Sequence, residues 1–193
     1  MYPEGLVEMD QDAISATELA ARWSYAELVS PRFGHTYDLA DEHTLREKAR
    51  LGVSFGDLSG PEKEILRALL ESHNDRRGFY PLLTHFGAYT SERWTYEQLK
   101  NLSLAPGLEW SRFSDFEDGK SALNSGANLR AKLDATPCGP FVQSDGPVIV
   151  VPCRYKGRDF QLLLEGTFRS LLFARDRSEA TRLHVWVPKP VGP

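Results

Sequence analysis

Val148-Ile-Val-Val-Pro-Cys-Arg-Tyr155, then Lys156-Gly-Arg158, then Phe160-Gln-Leu-Leu-Leu164 and Glu165-Gly-Thr-Phe-Arg-Ser-Leu-Leu-Phe-Ala-Arg175 decide how this chain folds. Two apolar runs separated by a short glycine-bearing loop predict a β-hairpin. The second run passes through Glu165-Gly166 into Thr167–Arg175, whose apolar spacing is helical. A last strand, Arg182-Leu-His-Val-Trp-Val187, stops at Pro188.

Working back from the hairpin, Pro137-Cys-Gly-Pro140 and Ser144-Asp-Gly-Pro147 are loop punctuation. Ser121 to Asp134 suits a helix, and Leu108 to Phe113 alternates as a strand does. The order from residue 101 onward is therefore strand, helix, strand, strand, helix, strand. The first hundred residues read as helical. Ser15 to Val29 carries Leu19, Ala20, Trp23, Ala26 and Leu28 near a 3.6-residue period and stops at Ser30-Pro31. A second helix is expected over Asp38 to Arg50. The third has the clearest start: Ser59 and Glu62 form a capping box, with Pro61 in the first turn and Ile65, Leu66, Leu69 and Leu70 as its stripe. Asn74 to Gly78 ends it, and a short helix follows from Thr95. The fold class is α+β: a helical N-terminal layer over 1–100, then a small mixed sheet with helices over 101–193. No internal repeat is present.

The chain has 193 residues, 41% hydrophobic and 26% charged, an ordinary globular balance that excludes disorder and low-complexity architecture. Its longest apolar run, Val148 to Val151, is too short to cross a bilayer, and the first residues lack the basic and apolar regions of a signal peptide. The expectation is a soluble, cytoplasmic protein with no membrane partner. Cys138 and Cys153 lack metal-ligand spacing and read as two inert thiols, although a bridge between them is sterically open. The five histidines are scattered, which argues against a zinc enzyme.

Charge is uneven. Residues 1–100 hold 11 Lys and Arg against 17 Asp and Glu, a net of −6, whereas 101–193 hold 12 against 10, a net of +2. The late positive residues suit a phosphate-bearing small molecule better than a long polyanion, and direct DNA binding is disfavoured. An aromatic-rich stretch, Gly78 to Thr90, suits either a groove for a base or peptide, or ordinary core packing.

One constellation points to chemistry: Leu164-Glu-Gly-Thr-Phe-Arg-Ser170. A strand ends, Gly166 permits a left-handed turn, and a helix begins. A helix N-terminus presents free N–H groups and the positive end of its dipole, which together favour phosphate. Arg169, in the first turn rather than at a core position, adds a two-pronged contact to the same anion. Thr167 offers an N-cap oxygen or a hydroxyl, and Phe168 and Ser170 complete the ligand-binding turn. Glu165 suits a general base or a magnesium ligand. Strand–glycine–helix junctions are common, and most bind nothing.

The hairpin, the Glu165-Gly-Thr-Phe-Arg169 turn, the leucine-rich helix and the closing Arg182-Leu-His-Val-Trp-Val-Pro188 strand together resemble the core of the ParB/sulfiredoxin superfamily over roughly residues 101–190. The resemblance implies nucleotide or phosphate binding at the Gly-x-x-Arg turn. Members include CTP-binding partition proteins, ATP-using sulfiredoxins and kinases of free serine. By position, Gly166 is the turn glycine and Arg169 the phosphate-binding arginine. Thr167 stands where sulfiredoxins carry their reactive cysteine, which argues against that repair reaction. Phe168 replaces the usual His or Arg and removes one polar phosphate contact. The resemblance also implies a functional carboxylate near the first strand, where Glu109, Asp115, Glu117 and Asp118 lie; a solvated acidic loop is the alternative.

Three functions stay open. The first is an ATP- or CTP-dependent, magnesium-using phosphotransferase (kinase-like) or nucleotide hydrolase, with Glu165 or Glu109 as base and Glu165 and Asp115 as metal ligands. The second is a regulatory or DNA-linked module, and the third an interaction domain with a degenerate pocket. Asn128 and Arg130, on the expected helix, rank below the turn residues as ligand contacts.

Overall fold

Val148, Ile149, Val150 and Val151 are each 0% exposed, so the strand that starts here is covered on both faces at its N-terminal end, whereas Pro152 and Arg154 further along it are exposed. An uninterrupted apolar run is what a strand covered on both sides requires. The computed structural model describes residues 13–30, 44–72, 77–104, 112–113, 124–143, 146–155 and 157–189. Among them the elements are β1 (Ile14–Ser15), α1 (Ala16–Glu27), α2 (Leu45–Arg50), a 3-10 turn (Phe55–Asp57), α3 (Gly60–Ser72) and α4 (Tyr80–Thr84). There follow β2 (Ala88–Trp94), α5 (Tyr96–Leu99), β3 (Ser103–Leu104) and α6 (Asn124–Ala135). Last come β4 (Ile149–Tyr155), β5 (Arg158–Glu165), α7 (Thr167–Asp176) and β6 (Leu183–Pro188).

The strands form one mixed sheet in the order β1-β2-β6-β4-β5-β3. The β1–β2, β2–β6 and β4–β5 pairs are antiparallel, and β4–β6 and β3–β5 are parallel. The general α+β expectation therefore holds. The hairpin forms as expected, with Gly157 at φ +76° in its turn.

Each face of the sheet carries its own apolar cluster. On one, Val148, Val150, Leu163 and Val185 pack with Leu171 and Phe173 of α7, Leu133 of α6 and Leu99 of α5. On the other, Ile149, Val151, Leu162, Leu164 and Tyr89 pack with Leu19 and Trp23 of α1, Leu70 of α3 and Leu83 of α4. Residues on both sides of position 100 thus share one core. A third cluster joins the outer side of α1 (Ala21, Tyr25, Leu28) to Leu45, Phe55, Leu58, Leu66 and Leu69.

The helix starts follow local chemistry. Ser15 caps α1 by accepting from the Glu18 N–H at 3.1 Å. The expected capping box starts α3: the Ser59 N–H and hydroxyl donate to Glu62 Oε2 at 2.9 and 2.8 Å. Glu62 also accepts from Lys48, and these contacts, the Lys48 hydrogen bond foremost, hold its carboxyl down at about 2. Thr95 and Gln98 make a second capping box at α5.

The first hundred residues are not only helical. Ala88–Trp94 is a strand, and it pairs with β6 over six positions from Tyr89↔Pro188 to Trp94↔Leu183. Tyr89 faces one cluster and Trp94 the other, so no single apolar period announces the strand. The aromatic stretch is core: Tyr89 is fully buried with its hydroxyl donating to the Leu83 carbonyl at 2.8 Å, and Phe79, Tyr80 and Phe86 pack around it. The strand expected over 108–113 falls largely outside the described residues, but Arg112 bridges Ser103 and Phe113 is buried. The second helix begins at Leu45 among the described residues, and α6 runs to Ala135. Cys138 and Cys153 are unbonded to each other. No helix among the described residues is long and apolar enough to cross a membrane.

Candidate functional site

The turn at 165–170 is built at the end of β5, a strand flanked by β4 and β3. Gly166 sits at φ +93°, ψ 20°, a left-handed conformation, directly between β5 and α7. A Cβ there would lie 2.8 Å from Val148 Cγ2, 2.9 Å from Val148 Cα and 3.1 Å from the Pro147 carbonyl oxygen. Both the dihedral and the space demand glycine. The helix it opens receives no side-chain cap, and its first backbone bond runs from the Ser170 N–H to the Gly166 carbonyl at 2.8 Å. The N–H groups of Thr167, Phe168 and Arg169 precede that bond and have no partner within the helix.

Arg169 does not project freely. Its Nη2 donates to the Pro147 carbonyl at 2.6 Å and to Glu165 Oε1 at 3.2 Å, across the glycine corner. The two side chains retain only 21% and 12% exposure, so this is a part-buried ion pair rather than a surface one. The guanidinium packs closely against Gly146, where a Cβ would come within 2.3 Å of Nη1 and 2.6 Å of Cζ. Arg169 Nε is buried without a hydrogen-bond partner. Ser170 is 0% exposed, and its Oγ is likewise unpartnered.

Thr167 and Phe168 are half-buried, and Lys132 of α6 places its ammonium 4.2 Å from the centre of the Phe168 ring. The aromatic at 168 therefore holds a cation from another helix beside the turn. Arg175, at the far end of α7, donates to the carbonyls of Leu133, Thr136 and Pro137 and so ties the C-terminal end of α6 to α7.

The structure brings Glu165, Gly166, Thr167, Phe168, Arg169 and Ser170 together at one corner. Asn128 and Arg130 both lie on α6. Glu109, Asp115, Glu117 and Asp118 lie outside the described residues. No group of three or more His, Cys, Asp or Glu side chains able to hold a metal occurs among the described residues. Glu165 pairs with the Arg169 guanidinium, and Asp115, the other expected magnesium ligand, lies outside the described residues.

Gly146, Pro147 and Lys132 were not singled out from the sequence as parts of the site. Gly146-Pro147 reads locally as loop punctuation; only folding lays the Arg169 guanidinium on it. The chain matches no family model, no curated protein and no solved structure.

Proposed function

We propose that this protein binds a phosphoryl group, carried by a nucleotide or a phosphorylated small molecule, at the Glu165-Gly-Thr-Phe-Arg169 turn of a ParB/sulfiredoxin-like core. The observation that carries the reading is the uncapped N-terminal turn of α7 with a part-buried arginine on it. Three backbone N–H groups without a partner in the helix, the helix dipole and a planar guanidinium in one turn are the kinds of donor that a phosphoryl dianion recruits. Lys132, held beside Phe168, adds positive charge to the flank and offsets the missing His or Arg at 168.

Phosphotransfer or nucleotide hydrolysis with ATP or CTP and magnesium is the finer reading. It requires Glu165 or Glu109 as base and Asp115 with Glu165 on the metal. The Glu165–Arg169 pair supports binding more than turnover, because the carboxylate is already engaged by the guanidinium. A DNA-linked regulatory module is less favoured, since the first hundred residues carry a net charge of −6.

A melting panel of ATP, CTP, GTP, ADP and inorganic phosphate, with and without magnesium, tests the reading on wild type and Arg169→Ala. A ligand present at a hundred times its Kd stabilises the native state by about 2.7 kcal/mol. The expected result is a rise in Tm with at least one phosphate ligand and none in Arg169→Ala. Because Arg169 also bonds Pro147 and Glu165, the variant starts from a lower Tm, so the ligand-induced difference is the quantity compared. No rise with any ligand in wild type overturns the proposal, and magnesium-dependent phosphate release separates turnover from binding alone.

A further inference from the structure

Arg169 is already occupied by an anion that the chain itself supplies. Glu165 and Arg169 stand four residues apart, on opposite sides of the Gly166 corner, and pair at 3.2 Å with 12% and 21% of their side chains exposed. We infer that Glu165 is a built-in competitor for the phosphate site, an autoinhibitory latch on Arg169 that also sets which anions the site accepts. The inference rests on the phosphate-binding reading of the turn.

A tethered carboxylate acts at an effective concentration of roughly millimolar or more. A free carboxylate offers the guanidinium the same chemistry that Glu165 does and gains nothing by displacing it. A phosphoryl dianion offers more. It brings a second charge, and it reaches the first-turn N–H groups, which no side chain caps. Two more polar groups in the same turn are unspent: Arg169 Nε and Ser170 Oγ are both buried without hydrogen-bond partners. The latch engages one nitrogen of the guanidinium, and the first-turn N–H groups keep no side-chain cap, which leaves them for a ligand with more oxygens. Gly146 backs the guanidinium on one face, where any larger residue would collide with it. The site selects phosphoryl groups over carboxylates, and release of Glu165 accompanies binding.

Isothermal titration with inorganic tripolyphosphate, and separately with acetate, tests this on wild type, Glu165→Gln and Glu165→Asp. Glu179→Gln serves as the charge control. Glu179 lies beyond the far end of α7, about 15 Å along a ten-residue helix from the turn. Circular dichroism and melting establish that each variant is folded. The expected result is tripolyphosphate binding roughly tenfold tighter in Glu165→Gln than in wild type. Acetate binding becomes measurable only in that variant, Glu165→Asp falls between the two, and Glu179→Gln matches wild type. Equal or weaker tripolyphosphate binding in Glu165→Gln, with wild type binding, overturns the latch and leaves the phosphate reading standing. A gain in Glu179→Gln as large as that in Glu165→Gln also overturns it, since net charge then explains the effect. Binding by neither wild type nor Glu165→Gln overturns both. If Glu165→Gln does not fold, a wild-type affinity in Glu165→Asp overturns the latch on its own.

Discussion

Replacing Gly166 by alanine tests whether the corner between β5 and α7 is as tightly specified as its geometry implies. Two costs add. At φ +93° a side chain meets the backbone strain of the left-handed region, about 1–2 kcal/mol. The new methyl group would also stand 2.8 Å from Val148 Cγ2 and 2.9 Å from Val148 Cα. Val148 is fully buried and packed between strand and helix, so it has little room to yield, and overpacking of this kind costs about 1–3 kcal/mol. The expected loss is about 2–5 kcal/mol. Gly157→Ala supplies the internal control. That residue has φ +76° in the hairpin turn, but a Cβ there meets nothing within 4 Å. It carries the dihedral cost alone, about 1–2 kcal/mol. Urea denaturation, followed by circular dichroism at a common m-value, reads the difference directly. In a chain of this length each kcal/mol moves Tm by about 2–4 °C, so thermal melts resolve the two variants as well. Equal losses in Gly166→Ala and Gly157→Ala would refute the claim that Val148 and Pro147 close the corner. The proposed phosphate site would then have no rigid floor.

The remaining predictions concern the supports of the fold. Glu62 is held at about 2 against the usual 4.5, so its contribution is fully present above pH 4.5 and is lost as pH falls toward 2. The full shift corresponds to roughly 3 kcal/mol, and screening at a partly exposed site lowers it to about 1–2 kcal/mol. Wild type should exceed Glu62→Gln by that margin at pH 7, and the gap should close between pH 5 and pH 2 in urea titrations. A gap independent of pH would remove the carboxylate from the account. Arg175→Ala should destabilise more than Arg182→Ala. Arg175 joins two helices through three carbonyls, whereas among the described residues Arg182 bonds within its own turn, to the carbonyls of Glu179 and Thr181. Amide exchange rising selectively around residues 133–137 would locate the effect, and uniform exchange would argue against a helix tie.

Much of the site was legible because its signals are local. A glycine after an apolar strand and before a helical pattern predicts the corner at 166, and Arg169 three places on predicts a side chain in the first turn. Neither signal reveals that Arg169 is held by Glu165 and Pro147, or that Gly146 is the surface it lies on. Those contacts join residues up to 23 positions apart and exist only once β4 has entered the sheet.

The same division runs through the fold. Local sequence signals suffice for the hairpin of β4 and β5, α7, the closing strand β6, the helical spacing of α1, the capping box that starts α3 and the short helix that follows Thr95. Each rests on hydrogen bonds or periodicity within a few residues. Tertiary structure decided that Ala88–Trp94 is a strand, because its partner β6 lies about ninety residues away and each face takes one aromatic. It also decided where the N-terminal helices go. Val148–Val151 is apolar on both faces, and a sheet so built has to be covered twice. One cover, α7 with α6, follows the hairpin's own strands closely in the chain or just precedes them. The other, α1 with α3 and α4, arrives from the far end of the chain, because burying the second face removes more apolar surface from water than any local arrangement of those helices does.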